Sequence, residues 1–343
     1  LFVALLGSLG VGSKALFHHE SSARIGAGRV HERIQDLAMR LWQIYLGLSV
    51  ICCLGLMVLG MSPFESVCHT MTEISTGGFS PRNESIAAYN SLMIELWITL
   101  FMLLGGLSFL LYARLLTGRR QHWKVEEEAQ AYLAIVVVVA AVIAVDLVVV
   151  DNRYSWGSAA RAAFFQVSSI LTTTGFATAD FDQWPTLSRL LLLLVMAVGG
   201  CAGSTAGGIK VSRVLLFVRT IKQQVVHAYR PNQVFALRLN DQVVDEPVML
   251  QTVFLVALAG LTVALGTLCV ALLEPALGLD SCLSATVASV FNVGPGLGAV
   301  GPARNFAHLR ADTLGVLSLL MLLGRLEFFA VLVLVVPALW RRY

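Results

Sequence analysis

Residues 171–180 read Leu171-Thr172-Thr173-Thr174-Gly175-Phe176-Ala177-Thr178-Ala179-Asp180, a small, hydroxyl-rich stretch between two long apolar segments. The residues before it, 157–170, provide about four helical turns at ~1.5 Å per residue, which is too short to cross a bilayer. The chain is therefore predicted to enter the membrane as a half-helix, turn over at residues 172–175 and leave by the same side.

Such a turn places irregular backbone at membrane depth, where it is tolerated only if protein buries it or if it lines a wet cavity. A turn of threonine and glycine exposes carbonyl oxygens, which can replace the hydration shell of a bare cation. The stretch therefore predicts a cation selectivity filter.

The composition indicates a helical protein with several membrane spans. Of 343 residues, 57% are hydrophobic and 13% are charged, and the mean hydropathy is +0.77, a balance outside that of soluble domains. The basic residues are spread through short loops without an aromatic-basic motif, which argues against nucleic acid as a partner. The sequence has no CxxC or Cys/His metal spacing and no nucleophile–base pair. We therefore expect no enzyme, no covalent cofactor and no metal other than the transported ion.

The order span, half-helix, turn, span occurs three times. The predicted half-helices are residues 63–74, 157–170 and 280–291, and the predicted spans are residues 41–60, 92–115, 131–150, 187–198, 248–273 and 313–340. The fold class is therefore an all-α membrane protein built from K⁺-channel-like units of span, pore half-helix, filter and span. Residues 1–11 are interpreted as the last span of a further, first unit.

These units divide the chain into four parts. The predicted parts are residues 1–40, the end of the first unit and a cytoplasmic linker; 41–128, the second unit; 129–247, the third unit with a broken second helix and a cytoplasmic segment; and 248–343, the fourth unit.

The distribution of positive charge predicts the orientation. The loops at residues 13–40, 114–128 and 210–247 and the C-terminus hold 17 of the 24 Lys and Arg residues. By the positive-inside rule these segments are cytoplasmic and the three turns open outward. The acidic residues Glu126–Glu128 are then expected at the cytoplasmic surface, and Glu95 and Asp146 at outer span ends with their carboxylates reaching water.

Superposing the three turns gives two columns, Gly78/Gly175/Gly294 and Thr76/Thr173/Asn292, at spacings of 97 and 119 residues. One interpretation is that each glycine only supplies a positive φ at a tight turn. Three aligned copies favour the other interpretation, that carbonyls around a common axis coordinate an ion. The predicted filter residues are Ser75, Thr76, Gly77, Gly78, Thr172, Thr173, Thr174, Gly175, Phe291, Asn292, Val293 and Gly294.

A glycine-rich stretch at residues 199–208 interrupts what would be a continuous span. Packing of small residues four apart is one explanation. A phosphate loop is another, which the sequence disfavours because Ile209 separates Gly208 from Lys210. Five glycines in ten residues destabilise a helix by ~1 kcal/mol each relative to alanine. We hypothesise a flexible gate below the filter, formed by Gly199, Gly200, Gly203, Ser204, Thr205, Gly207 and Gly208.

Two ionisable residues are predicted within the membrane. Arg325 lies twelve residues into the last predicted span, where an unpaired arginine costs about 2.5–3.5 kcal/mol on insertion scales. It either pairs with Glu327 or, as we favour, faces a cavity below the filter, limits cation flux and contacts the glycine loop. Glu73 either attracts cations or is hydrogen-bonded behind the filter.

Several motifs resemble the Trk/Ktr/HKT potassium-transporter superfamily. They are Thr76-Gly77-Gly78-Phe79-Ser80, Thr172-Thr173-Thr174-Gly175-Phe176-Ala177-Thr178, Gly200-Cys201-Ala202-Gly203-Ser204-Thr205-Ala206-Gly207-Gly208-Ile209-Lys210 and Asn292-Val293-Gly294-Pro295-Gly296-Leu297-Gly298. Gly324-Arg325-Leu326-Glu327 and Pro337-Ala338-Leu339-Trp340-Arg341 are similar to the bacterial TrkH branch. The resemblance covers essentially all of the chain. The family's first filter is absent, however, and the chain opens at Leu1 within an apolar run, so we expect the sequence to lack its N-terminal part.

The resemblance implies four pseudo-equivalent units around one K⁺ pathway, a homodimer in the membrane and a cytosolic ring of nucleotide-binding RCK-type subunits (TrkA-like). It also implies that glycine in the filter column accompanies K⁺ preference, whereas serine in the first unit accompanies Na⁺ permeation. The expected function is K⁺ uptake across the bacterial inner membrane, through a filter gated by the glycine loop and Arg325.

Other functions make different demands on the residues. A Na⁺- or H⁺-coupled cation symporter needs an ionisable residue in the transport path, for which Glu73 and Arg325 are the candidates. A non-conducting scaffold would tolerate replacement of Gly175. The sequence leaves open the first filter and with it strict K⁺ over Na⁺ selectivity, channel-like or coupled transport, the regulatory nucleotide and the oligomeric state.

Overall fold

The computed structural model describes residues 34–116, 126–230, 237–240, 242–326 and 328. The predicted first-unit span at residues 1–11, the middle of the loop at 114–128, the end of the last predicted span and Glu327 lie outside these residues.

Within the described residues the main elements are eleven α-helices and one short hairpin, and three short 3₁₀ helices and one π-helical turn lie between them. The helices are α1 (Ile34–Val58), α2 (Pro63–Ile74), α3 (Leu92–Gly106), α4 (Phe109–Leu116), α5 (Glu127–Asp146), α6 (Trp156–Leu171), α7 (Thr186–Ala197), α8 (Val211–Tyr229), α9 (Glu246–Leu273), α10 (Leu279–Val290) and α11 (Ala311–Arg325). The hairpin pairs β1 (Arg238–Leu239) with β2 (Gln242–Val243) in antiparallel register. The predicted helical class is confirmed.

Three helical stretches of the described chain are long and apolar enough to cross a membrane: Leu37–Val58, Glu127–Asp151 and Glu246–Leu273. The second is α5 continued by a π-helical turn at Leu147–Asp151. Helices α3 and α4 make a fourth only if the two are taken as one bent span.

The segment predicted as a span, residues 92–115, is bent in the structure, where α3 and α4 meet at 89°. The break follows the pair Gly105-Gly106, and sharp helix kinks commonly occur at such small-residue pairs. Leu107 is extended (φ −81°, ψ 158°), and the amide of Phe109 donates to Gly203 instead of continuing the α3 ladder. The glycine carbonyls at the bend become available to another segment.

The half-helices α2, α6 and α10 form where the sequence predicts them. Ser62 caps α2 by accepting from the amide of Glu65, and Pro63 occupies the first helical position, where its missing N–H costs nothing. Ser155 caps α6 in the same way through the amide of Ser158. Each half-helix points its C-terminal end, which carries partial negative charge, at its turn.

Helix α6 lies at the centre of the described chain. It packs against α5, α3 and α7, and every residue from Phe165 to Leu171 is buried. Its alanines and serines allow neighbouring helices to approach closely. The turn at residues 172–175 is therefore enclosed by protein, as irregular backbone at membrane depth requires.

The segment predicted as a basic cytoplasmic loop, residues 210–245, contains regular structure. Helix α8 covers Val211–Tyr229, and the β1–β2 hairpin follows. The hairpin reverses at Asn240, which takes a left-handed conformation with φ 50°, as asparagine tolerates better than most residues.

Candidate functional site

The three turns share one backbone conformation. The residues Thr76, Thr173 and Asn292 have φ of 53°, 54° and 56°, and the glycines two positions later, Gly78, Gly175 and Gly294, have φ of 66°, 82° and 106°. Positive φ at a non-glycine residue is uncommon, so its recurrence at aligned positions indicates that the three turns are built alike. Ser75, Thr172 and Phe291 are the C-cap residues of the three half-helices.

The backbone amides of the turns point back into the half-helices. Gly77 and Gly78 donate to the carbonyl of Thr72 at 2.6 and 3.1 Å, and Thr174 donates to that of Ser169 at 2.9 Å. The hydroxyls of Thr72 and Ser169 in turn donate to the carbonyls of Phe79 and Phe176, at 2.7 and 2.6 Å. In the third turn, Val293 donates to Ala288 at 2.9 Å.

The turn carbonyls are left for another ligand. Within the described chain, no backbone amide donates to the carbonyls of residues 76–78, 173–175 or 292–294. Thr76, Thr173, Thr174 and Val293 are buried, whereas Gly77 and Gly294 are exposed. Carbonyls that receive no backbone hydrogen bond at such a partly open site suit a cation or water.

The turns also lie against one another. A Cβ added at Gly78 would be 1.6 Å from the carbonyl oxygen of Thr174, and one at Gly175 would be 2.3 Å from that of Val293. Only glycine permits this approach together with the positive φ. The structure thus brings the predicted filter residues of the three units to one place, and their role in ion binding stays a prediction.

The glycine loop, residues 199–208, begins where α7 ends at Ala197 and is closed at its base. Gly199 donates to the carbonyl of Ile209 at 2.9 Å, and Ile209 donates to that of Ala197 at 3.1 Å. A Cβ at Gly199 would lie 1.9 Å from the carbonyl oxygen of Gly207. The predicted interruption of this helix is present, and it is a folded loop.

The glycine loop is hydrogen-bonded to two of the turns. The hydroxyl of Thr76 donates to the carbonyl of Thr205 at 2.9 Å, and the amide of Gly207 donates to the hydroxyl of Thr173 at 2.6 Å. A Cβ at Gly207 would also lie 2.7 Å from the carbonyl oxygen of Phe291 in the third turn. Two of the three left-handed turn residues, Thr76 and Thr173, therefore reach the loop with their side chains, whereas Asn292 donates to the carbonyl of Met321 on α11.

The bend between α3 and α4 holds the loop from another side. The amide of Cys201 donates to the carbonyl of Gly106 at 2.8 Å, and the hydroxyl of Thr205 donates to that of Gly105 at 3.2 Å. In the opposite direction, the amide of Phe109 donates to the carbonyl of Gly203 in the loop at 3.1 Å. The loop thus takes up backbone groups that the bend releases.

Arg325 is the last residue of α11. Its guanidinium Nη2 donates to the carbonyl of Thr205 at 3.4 Å, so it contacts the glycine loop as predicted. Glu73 is fully buried, and its Oε2 accepts from the thiol of Cys52 on α1 at 3.2 Å. This position corresponds to the interpretation in which Glu73 is hydrogen-bonded behind the filter.

Three residues whose carboxylates were predicted to reach water, Glu95, Glu128 and Asp146, are buried. Glu95 pairs with Arg161 through two bonds of 2.6 Å. Asp146 accepts from both the amide and the hydroxyl of Ser188. Glu128 accepts from the amide of Ala202 in the glycine loop and from the amide of Ser212 in the first turn of α8. In each case a partner distant in sequence holds the carboxylate away from water.

Other residues of the site carry weaker signals in the sequence. Thr72 and Ser169, which buttress the first two turns, occupy the same column at the 97-residue spacing that aligned the glycines, so that superposition contained their signal. Gly105 and Gly106 carried only the weak signal of a glycine pair in an apolar run. No pattern marked Glu128 as part of the site.

Residues 1–342 match the family described as TrkH, cation transport protein. Among curated relatives, the chain is 33% identical over 345 residues to the Trk system potassium uptake protein TrkH of Salmonella typhimurium, covering 99% of this chain and 70% of the relative. It is 35% identical over 353 residues to TrkI of Halomonas elongata, covering 99% and 68%. It is 34% identical over 346 residues to TrkH of Escherichia coli K12, covering 99% and 70%.

A solved structure is also similar. The crystal structure of the potassium transporter TrkH from Vibrio parahaemolyticus superposes with a TM-score of 0.84 at 32% identity, covering 92% of this chain and 67% of that chain.

Proposed function

The chain belongs to the TrkH family of cation transport proteins, and from that premise we propose that it is the pore-forming subunit of a bacterial potassium uptake system. The family is one of membrane transporters and not of enzymes. The proposed cargo is K⁺, which crosses the inner membrane dehydrated, through a filter of backbone carbonyls, without a covalent cofactor.

One observation carries the proposal. The carbonyls of three like-built turns receive no backbone hydrogen bond from the described residues, and the turns touch through Gly78 and Gly175. Carbonyl oxygens held in this way can replace the hydration shell of K⁺. The four relatives and structures compared carry the names of potassium uptake proteins or a potassium transporter, which supports K⁺ as the ion.

The glycine loop and Arg325 are proposed as the inner gate. Two hydrogen bonds support this role, one donated by the hydroxyl of Thr76 to the carbonyl of Thr205 and one donated by the amide of Gly207 to the hydroxyl of Thr173, because they hold the loop directly against the proposed filter. The guanidinium of Arg325 beside Thr205 adds positive charge at the same level, which opposes cation flux while the loop is in place.

Orientation and partners extend the proposal. The basic segments are proposed to be cytoplasmic and the turns to open outward, supported by the distribution of Lys and Arg. The homodimer, the surrounding lipid and the cytosolic RCK-type (TrkA-like) subunits are proposed from the family resemblance, and no nucleic acid partner is expected. A coupled Na⁺ or H⁺ symporter is the weaker alternative, since the burial of Glu73 against Cys52 leaves Arg325 as the remaining candidate for an ionisable group in the path.

The test compares Rb⁺ and Na⁺ uptake into liposomes containing the complete gene product, as wild type and as Gly175→Ser. A side chain at this position meets the carbonyl of Val293 at φ +82°, and the left-handed backbone alone costs about 1–2 kcal/mol. We expect Rb⁺-selective flux in the wild type and a fall in Rb⁺/Na⁺ selectivity of about tenfold in the variant.

The matched control is Gly157→Ala on the same half-helix, where an added Cβ meets no heavy atom within 4 Å. The control should keep the wild-type selectivity. Uptake that is indifferent to Gly175→Ser would mean that the turns are structural, and the pore assignment would then be withdrawn.

A further inference from the structure

The first turn of α5 carries a buried carboxylate that faces the glycine loop. Glu128 is 7% exposed. Its Oε1 accepts from the amide of Ala202 at 2.6 Å and from the amide of Ser212 at 3.0 Å. One oxygen atom therefore joins the beginning of the glycine loop to the helix that follows it.

These two amides need an acceptor where they lie. The amide of Ser212 is one of the first four of α8, which have no partner inside the helix. A carboxylate is favourable at this end of a helix because of its partial positive charge. The amide of Ala202 belongs to irregular backbone, where a buried donor without a partner is destabilising. Glu128 satisfies both with one negatively charged side chain.

The two residues that precede Glu128 are held in place by bonds of their own. Glu126, two residues earlier, accepts from Arg114 of α4 at 2.8 Å. Glu127 is paired with Arg219 of α8, and its amide donates to the side chain of Asn240 at 2.8 Å. Glu126 also accepts from the side chain of Asn240, at 3.2 Å. Glu126 and Glu127 are thus held by α4, α8 and the hairpin, and of the three successive acidic residues only Glu128 reaches the glycine loop.

We propose that Glu128 is a positioning residue that holds the glycine loop in the ion pathway. The proposal rests on the assignment of that loop as the inner gate. Its carboxylate fixes the loop at Ala202, next to Cys201 and the bend, while the turn threonines fix the other half. Without Glu128, the two amides find acceptors only by moving toward water, and the loop leaves its place against the turns.

A native thiol reports the position of the loop. Cys201 is 1% exposed and lies beside Ala202, so displacement of this part of the loop exposes it. Cys52 and Cys282 are also buried, at 0% and 1%, but on α1 and α10. Maleimide labelling followed by peptide-resolved mass spectrometry measures the three thiols separately in one sample.

The experiment uses the complete gene product in liposomes as wild type, Glu128→Ala, Glu128→Gln and the neighbouring control Glu127→Gln. It measures maleimide labelling of Cys201 and basal Rb⁺ and Na⁺ uptake without added regulatory subunits. We expect Glu128→Ala to raise both Cys201 labelling and Rb⁺ uptake by about tenfold or more, the effect of ~1.4 kcal/mol on a two-state equilibrium, at unchanged Rb⁺/Na⁺ selectivity. Glu128→Gln should restore most of the wild-type behaviour because its amide oxygen still accepts both bonds.

Wild-type labelling of Cys201 in Glu128→Ala would overturn the proposal. So would equal effects of Glu128→Ala and Glu127→Gln, or labelling of Cys52 and Cys282 that rises together with that of Cys201, which indicates general loosening. A folding failure lowers flux and cannot imitate the expected increase. If the alanine variant is not recovered, Glu128→Gln still tests the proposal, because a tenfold rise in Cys201 labelling in a variant that keeps an acceptor for both amides would contradict it. Absence of Rb⁺ uptake in every protein would reject the proposed function, while the labelling result would still decide the role of Glu128.

Discussion

Removal of Arg161 from its pair with Glu95 tests what holds the central half-helix in place. The pair joins α3 to α6, the helix that carries the turn at residues 172–175, through two bonds of 2.6 Å. The side chain of Glu95 is 7% exposed and that of Arg161 is 36% exposed. Loss of one partner of a buried pair costs about 3–5 kcal/mol. Because Arg161 is a third open to solvent, we expect about 2–3 kcal/mol for Arg161→Met.

A double-mutant cycle isolates this energy from the packing of the side chains. The free energy of unfolding is compared for the wild type, Glu95→Gln, Arg161→Met and the double variant in detergent, from denaturant midpoints. Most of the free energy of unfolding lost in Arg161→Met arises from the carboxylate of Glu95, which is left without a partner. The double variant should therefore recover at least ~1 kcal/mol of that loss. The matched control is Arg310→Met, whose partner Asp312 is 66% exposed and whose loss should cost at most about 0.5 kcal/mol. A cycle that is additive, or a cost no larger than that of the control, would refute the reasoning.

Two further predictions concern other parts of the chain. Gly78→Ala places a Cβ 1.6 Å from the carbonyl oxygen of Thr174, so the Rb⁺/Na⁺ selectivity of liposome uptake should fall. The control Gly157→Ala should leave the selectivity unchanged. Wild-type selectivity in Gly78→Ala would contradict the proposal that this contact between turns shapes the filter. The pKa of Glu274, just after α9, is held below its usual value mainly by the amide of Arg310. The ionised carboxylate therefore contributes stability above the unfolded pKa of about 4.3, and this stability is lost as the pH falls through the folded-state pKa. Amides of the loop before α11 should then exchange hydrogen faster under acid, after correction for intrinsic rates, and Glu274→Gln should remove that pH dependence.

The half-helices and turns could be predicted from the sequence because their signals are local. Ser62 and Pro63 mark the start of α2, and a half-helix too short for a bilayer followed by a glycine turn has few other solutions. The columns at 97 and 119 residues aligned positions that share their backbone conformation. A repeated local pattern thus carries information on the geometry as well as on the boundaries.

The bend between α3 and α4 and the buried carboxylates could not be predicted from the sequence, because both depend on contacts with distant segments. Hydropathy treats residues 92–115 as one apolar run, and Gly105-Gly106 breaks it because the glycine loop, almost 100 residues later, supplies partners for the freed backbone. Glu128 binds backbone amides 74 and 84 residues away. A backbone amide is present at every non-proline residue, so such a bond leaves no complementary residue type to recognise. Glu95 and Arg161 offered a complementary pair, but at a separation of 66 residues many other pairings were possible.

Thr76 and Thr173 are part of the turns through their backbone, and their hydroxyls are hydrogen-bonded to the glycine loop. Two binding events that share a group are thermodynamically reciprocal: if displacement of the loop changes cation affinity by some factor, cation binding changes the equilibrium of the loop by the same factor. The permeating ion would then act as an effector of its own gate. External K⁺ concentration, and the identity of the ion that fills the turns, would set how readily the loop moves, with no separate sensor required.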